Sequence, residues 1–195
     1  CINGKEMNNF IKYIFNLYIK IEMGEYYSSD IKKSKSNIIS MAKFHNYLKR
    51  TLYDKYIGGK YKKCDFILEL AGGRGADLFK LIANKVKYVT FIDYDKNALI
   101  EAKKRYKNIS KKTKVPKIDF FQGDLRQDLT INNIIKKNYY QSVNIHFAIH
   151  YMMENKKTIS NFFKNVNHGL RKNGIFIFTS FDGNKVLKLF EKYNI

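Results

Sequence analysis

The chain has 195 residues, 45% of them apolar and 15% aromatic, which is enough for one domain with a real core and excludes an intrinsically disordered segment. Its 37 lysines and arginines outnumber 17 acids and leave a formal charge of +20. That excess points to a polyanionic partner, nucleic acid ahead of a membrane, although an AT-rich genome would also enrich Lys, Asn and Ile.

The two cysteines, Cys1 and Cys64, have neither a metal-ligand spacing nor the look of a disulfide framework, so no metal is expected and an intracellular, reducing compartment is. The first residue is Cys rather than Met, which reads as a piece of a longer chain. Phe10, Tyr13, Ile14, Leu17 and Ile21 fall at helical spacing, and Lys12, Asn16 and Lys20 interrupt the run too often for a membrane span or a signal core. Gly24 to Ser36 is polar, rich in Ser and Lys and without period. Residues 1–36 therefore read as an N-terminal helix and a basic connection whose lysines suit backbone phosphates. A second helix is expected from Asn37 to Tyr56. It has Ile38, Met41, His45, Leu48 and Leu52 on one side, and Asn46, Lys49, Arg50 and Tyr53 as a polar, basic and aromatic face on another.

The stretch from Phe66 to Phe79 is the organising one. Phe66 to Leu70 reads as a strand, Ala71 to Ala76 as a small-residue turn, and Leu78, Phe79, Leu81 and Ile82 as the apolar side of a helix. Gly72, Gly73 and Gly75 allow a sharp turn and close approach of a ligand to the free N–H groups of the helix start. A second strand, Tyr88 to Ile92, ends in Asp93, where the hydroxyls of an adenosine ribose are held in such units; Asp95 is the better helix cap. The carboxylate of Glu69 at the first strand's end repels phosphate and suits a ligand carrying an amino group or positive charge. S-adenosylmethionine is therefore favoured over NAD.

Further helices and strands alternate. Ala98, Leu99, Ala102 and Tyr106 mark a helix over Asn97 to Tyr106 with Lys103, Lys104 and Arg105 exposed, followed by a basic loop, Ser110 to Lys114. A third strand, Ile118 to Phe121, leads to Asp124 and Leu125, where the aspartate suits either an adenine amino group or a helix cap. A fourth, Val143 to Ile149, carries His146 and ends at His150, Tyr151 and Glu154. A helix from Asn155 to Leu170, a turn from Arg171 to Gly174, a fifth strand from Ile175 to Ser180 and a last helix from Asn184 complete the chain. The expected fold is α/β, a mostly parallel sheet with helices on both faces and its site at the strand carboxyl ends.

Taken together, Phe44-His45-Asn46-Tyr47-Leu48-Lys49, the run from Glu69 to Leu78, Asp93, Arg105-Tyr106, Asp124 and His146-Phe147-Ala148-Ile149-His150-Tyr151 resemble the mRNA cap guanine-N7 methyltransferases, in the form of those of large DNA viruses, over residues 41 to 190. The resemblance implies a Rossmann-like class I methyltransferase dependent on S-adenosylmethionine, with domain 37–195 acting on a capped RNA 5' end. It implies cofactor contacts at Lys49, Glu69, Ala71, Gly72, Gly73, Gly75, Asp93, Asp124, Leu125, His146 and Tyr151. Cap contacts would fall on His45, Asn46, Lys49, Arg74, Lys80, Arg105 and His150, with His150 and Tyr151 positioning the guanine.

The family usually has Asp at Glu69, Gly at Ala71, Gln at His146 and a Thr-Thr-Pro-like sequence at Thr179 to Asp182. It also has a further strand pair and guanine contacts downstream, so the domain is expected to be incomplete at its C-terminal side, with other capping domains or a second subunit as partners. Guanine N7 has a lone pair and no proton, so neither a general base nor a metal is required. Two other readings stay open: a methyltransferase acting on a small molecule or protein, and a catalytically silent RNA-binding or stimulatory subunit. The absence of Asn-Pro-Pro-Tyr disfavours the exocyclic-amine DNA class.

Overall fold

A computed structural model describes residues 37–59 and 63–193. The expected helix over Phe10 to Ile21 and the connection Gly24 to Ser36 lie outside the described residues. The chain divides into two compact units, Cys1–Asn46 and Tyr47–Ile195.

The second unit is built on five strands, β1 (Phe66–Leu70), β2 (Tyr88–Asp93), β3 (Lys117–Gln122), β4 (Tyr140–His146) and β5 (Leu170–Thr179). They lie in the order β3-β2-β1-β4-β5, and all four neighbouring pairs are parallel. Parallel neighbours need crossovers. Helices α2 (Leu78–Ala83), α3 (Lys96–Ser110) and α4 (Lys156–Gly169) lie between strands, while α1 (Asn37–Tyr56) precedes β1 and α5 (Gly183–Tyr193) follows β5. The chain steps outward from β1 to β2 and β3, then returns to β4 on the other side of β1. The carboxyl ends of β1 and β4 therefore flank the topological switch point, where such sheets bind ligands.

Strand alternation sorts the core into two layers. Leu68, Leu70, Tyr88, Ile92, Val143 and Ile145 face Phe162 and Val166 of α4. Ile67, Val89, Phe91 and Ile177 face Tyr53 and Ile57 of α1, Leu78 and Leu81 of α2, and Leu99, Ala102 and Ile109 of α3. The same alternation turns Glu69 of β1 and Asn144 of β4, partners in register, toward that second layer.

Five local expectations are corrected. Tyr53, assigned to a solvated face, is fully buried, because a phenol can bring both apolar area and a hydroxyl to a buried acid. Phe79, assigned to the core, is 60% exposed, since a six-residue helix needs only Leu78 and Leu81 inside. The fourth strand stops at His146 because Phe147 takes φ 55°, and Ile149–Met152 wind into a 3₁₀ turn. Arg171 to Gly174 are not a separating turn but an irregularity inside β5: Tyr140 pairs with Leu170 and Ser142 with Ile175, and Asn173 (φ 60°) absorbs the excess. α3 runs on past Tyr106 to Ser110, adding Ile109 to the core. Asp95 caps α3 as expected, accepting from the N–H groups of Asn97 and Ala98. At α4, Asn155 and Thr158 form a reciprocal capping box.

Candidate active site

The turn after β1 is wound by left-handed residues, Ala71 at φ 51°, Gly73 at 56° and Gly75 at 71°. Ala71 tolerates this at a cost that glycine avoids. Gly72 is required for another reason: a Cβ there would collide with the outer edge of the buried Phe91 ring, at its Cζ. Gly72→Ala should destabilise the fold by about 1–3 kcal/mol, read as a lower urea midpoint, and adding Phe91→Leu should return part of it. Equal midpoints for wild type and Gly72→Ala would contradict this packing.

The turn is clasped by Asp93. One carboxylate oxygen accepts the Gly73 N–H at 2.7 Å and the other the Asp95 N–H at 2.8 Å. Burial raises the pKa of Asp93, and the backbone hydrogen bonds from Asp95 and Gly73 only partly oppose it.

Next to the turn, Asp77 lies between two lysines, Lys49 Nζ at 2.7 Å and Lys80 Nζ at 2.6 Å. Burial pushes its carboxyl up, but the two ammonium groups outweigh it and hold the pKa below the ordinary value. Asp77 is not among the expected contacts; its position four residues before Leu81, on the buried side of α2, is the signal that points to it.

Beneath these groups lies a buried polar network. The Tyr53 hydroxyl is 2.8 Å from both Glu69 oxygens, and Asn144 donates to Glu69 Oε2 at 3.1 Å while accepting from Ser142 at 2.6 Å. Burial, then the charge of Asp77, raises the Glu69 pKa to about 8. A pKa this high weakens the charge that Glu69 brings to the strand end at neutral pH, and the neighbouring anion is Asp77. His146 packs its ring 5.3 Å from that of Tyr53 and sets Nδ1 3.3 Å from Thr179 Oγ1. Its Nε2 is buried and has no hydrogen-bond partner among the described residues, and burial lowers its pKa to about 4.

Beyond the end of β4, the rings of His150 and Tyr151 lie 4.3 Å apart, and Phe181 stands 6.3 Å from His150 and 5.7 Å from Phe147. Burial lowers the His150 pKa as well. At the end of β3, Asp124 caps no helix. It binds the Arg126 guanidinium through both oxygens at 2.9–3.2 Å and accepts the Arg126 N–H, while Leu125 is buried core. Arg74 is exposed in the turn. Arg105 is exposed on α3, about 14 Å along the axis from Lys96. His45 and Asn46 belong to the first unit, where the Phe44 and His45 rings are 6.4 Å apart.

Residues 20–194 match the mRNA (guanine-N(7))-methyltransferase domain. The chain belongs to that family. A probable mRNA-capping enzyme of Acanthamoeba polyphaga mimivirus is 32% identical over 178 residues, 80% of this chain and 15% of its own length. An mRNA cap guanine-N(7) methyltransferase of Cryptococcus neoformans is 28% identical over 160 residues, 79% of this chain and 22% of its own. The chain thus spans less than a quarter of these relatives. Among solved structures, a protein of Pyrococcus horikoshii aligns with a TM-score of 0.61 at 18% identity, covering 90% of this chain and 71% of the other. The fold is the Rossmann-like class I fold of the methyltransferases.

Proposed function

We propose that the chain methylates N7 of the guanosine cap of RNA, using S-adenosylmethionine and releasing S-adenosylhomocysteine. The observation that carries this reading is the Asp93 clasp on Gly73 at the switch point, in a chain of this family. Each Asp93 oxygen accepts one N–H, which leaves each able to accept from one hydroxyl of a ribose. A Cβ built on Gly73 meets nothing within 4 Å, so a nucleoside can approach the turn. Lys49 and Asp77 offer opposite charges side by side, complementing the carboxylate and ammonium of an amino acid. These features fit the cofactor's two halves.

In this reading the backbone of Ala71, Gly72 and Gly75 shapes the turn, and Asp124, Leu125, His146 and Tyr151 complete the cofactor side. Arg74, Lys80 and Arg105 meet the cap's phosphates, His45 and Asn46 the cap, and His150 with Tyr151 the guanine. The cofactor supplies, when bound, a methyl group already activated on sulfur. N7 attacks with its own lone pair, so the chain's task is alignment, worth on the order of 7–11 kcal/mol of barrier. Both His146 and His150 have lowered pKa values and are neutral at pH 7. Neutral imidazoles do not oppose the positive charge that N7 methylation places on the guanine. The mimivirus relative's name as a capping enzyme supports partners among other capping activities, inside the cell.

The test is transfer of labelled methyl from S-adenosylmethionine to GpppG, compared with GTP, by the intact protein. Cap-dependent transfer is expected, and His150→Ala should lower it about a hundredfold, the cost of a misaligned acceptor. Cofactor binding without any preference for GpppG would move the assignment to a small-molecule methyltransferase. Absence of cofactor binding would favour a silent subunit.

A further inference from the structure

The exposed face of α3 is a row of lysines that the cap site does not use. Lys96, Lys103, Lys107 and Lys111 follow one another at spacings of seven, four and four, so they share one face of the helix, turned away from Ala98, Ala102 and Ile109 in the core and bordered by the buried Leu99. Ile100, 53% exposed, fills the one vacant place in the row. The row is about 22 Å long. Exposed Lys112, Lys114 and Lys117 continue the charge through the loop into β3, and Lys104 flanks it.

Elsewhere on the surface, Lys87 pairs with Asp65 and Lys164 with Asp128. Among the described residues, none of the lysines of this face is in an ion pair. Glu101 is the one acid of α3 and sits about 100° around the helix from Ile100, off the row. Asp95, next to Lys96, spends its carboxylate on capping. A row of like charges with no acids to offset it is held at an electrostatic cost, which a bound polyanion would reverse.

The position of the row says which polyanion. α3 starts three residues after Asp93, so the first lysine stands beside the candidate site and the rest lead away from it along the outside of the sheet. We propose that this face is a track for the backbone of the RNA behind the cap, binding phosphates without reading sequence. The choice of RNA as occupant rests on the cap-methylation reading; the cationic track does not.

The test is binding of an uncapped, fluorescein-labelled RNA of about 16 nucleotides to the full chain, by anisotropy between about 50 and 200 mM salt. The variant Lys103→Gln/Lys107→Gln/Lys111→Gln is compared with a control, Lys156→Gln/Lys157→Gln/Lys172→Gln, which removes equal charge from exposed positions elsewhere. The track variant should bind about tenfold or more weakly at the low salt, with a log–log salt slope shallower by about 2, three contacts at ~0.7 each. The control should stay within about threefold of wild type, and both variants should keep the wild-type melting temperature. On capped substrates, the track variant should methylate GpppG like wild type but lose the advantage of a longer capped RNA. Equal weakening by both variants, or none by the track variant, would overturn the proposal. So would anionic phospholipid vesicles that bind through these three lysines when RNA does not. Loss of RNA binding in the track variant, with a wild type that ignores GpppG, would keep the track and overturn the cap reading instead.

Discussion

Replacing Asp93 by Ala is expected to weaken binding of S-adenosylhomocysteine about a hundredfold, measured by calorimetric titration. Two hydroxyls would lose a carboxylate acceptor, at about 1.5 kcal/mol each for a hydrogen bond to a charged group. The protein should also lose about 2–3 kcal/mol of stability, because the N–H groups of Gly73 and Asp95 lose their acceptor. Asp93→Asn separates the two effects. Its amide keeps one acceptor oxygen but turns an NH₂ toward either Gly73 N–H or Asp95 N–H, donor against donor, so it should fold better than the alanine variant yet bind almost as poorly. The raised pKa of Asp93 adds a pH signature: ligand affinity in the wild type should begin to fall at a higher pH than for an ordinary aspartate as the solution is acidified. A folded Asp93→Ala protein that binds the product as tightly as wild type would remove Asp93 from the site.

The sequence made the scaffold legible because its signals were local. A short apolar run, a cluster of glycines and an amphipathic run specify strand, turn and helix with little help from the rest of the chain, and Asp95 caps α3 as its spacing suggests, whereas the hold of Asp93 on the Gly73 N–H had no signal in the sequence. What was not legible depends on contacts distant in sequence. Tyr53 has the periodicity of a solvated face, and only the fold reveals that Glu69, 16 residues on, draws it inside. The charge of Glu69 could not be read from its identity either, since ionisation is decided by Asp77, Asn144 and burial together. Arg126 had no signal beyond being two residues from Asp124, yet it takes both oxygens of the carboxylate proposed to read adenine. In β5 a real irregularity at Asn173 looks like a separating turn, because bulge and turn use the same left-handed residue.

The largest effect of pH on stability should come from Glu69. Its folded pKa, about 8, stands above the ordinary 4.5, so between these values the folded state holds a proton that the unfolded state has released. Stability contributed by this group is therefore fully present below pH 4.5 and is lost as pH rises toward and through 8. Over that window the loss is of the order of 5 kcal/mol. His146 acts in the opposite sense: with a folded pKa of about 4 it costs stability as pH falls from 6.5 toward 4. The two slopes oppose each other in the overlap, so the wild-type curve alone does not isolate either group. Glu69→Gln does. Glutamine keeps an acceptor for the Tyr53 hydroxyl but cannot ionise, so urea unfolding of this variant should show no decline from pH 6.5 to 8.5, where His146 is silent, while the wild type declines steeply. Parallel curves would mean that Glu69 is ionised throughout, with Lys49 rather than burial deciding its state. The carboxylate would then act as a charge at the strand end, and the preference for a cationic ligand over a pyrophosphate would rest on Glu69 after all, not on Asp77.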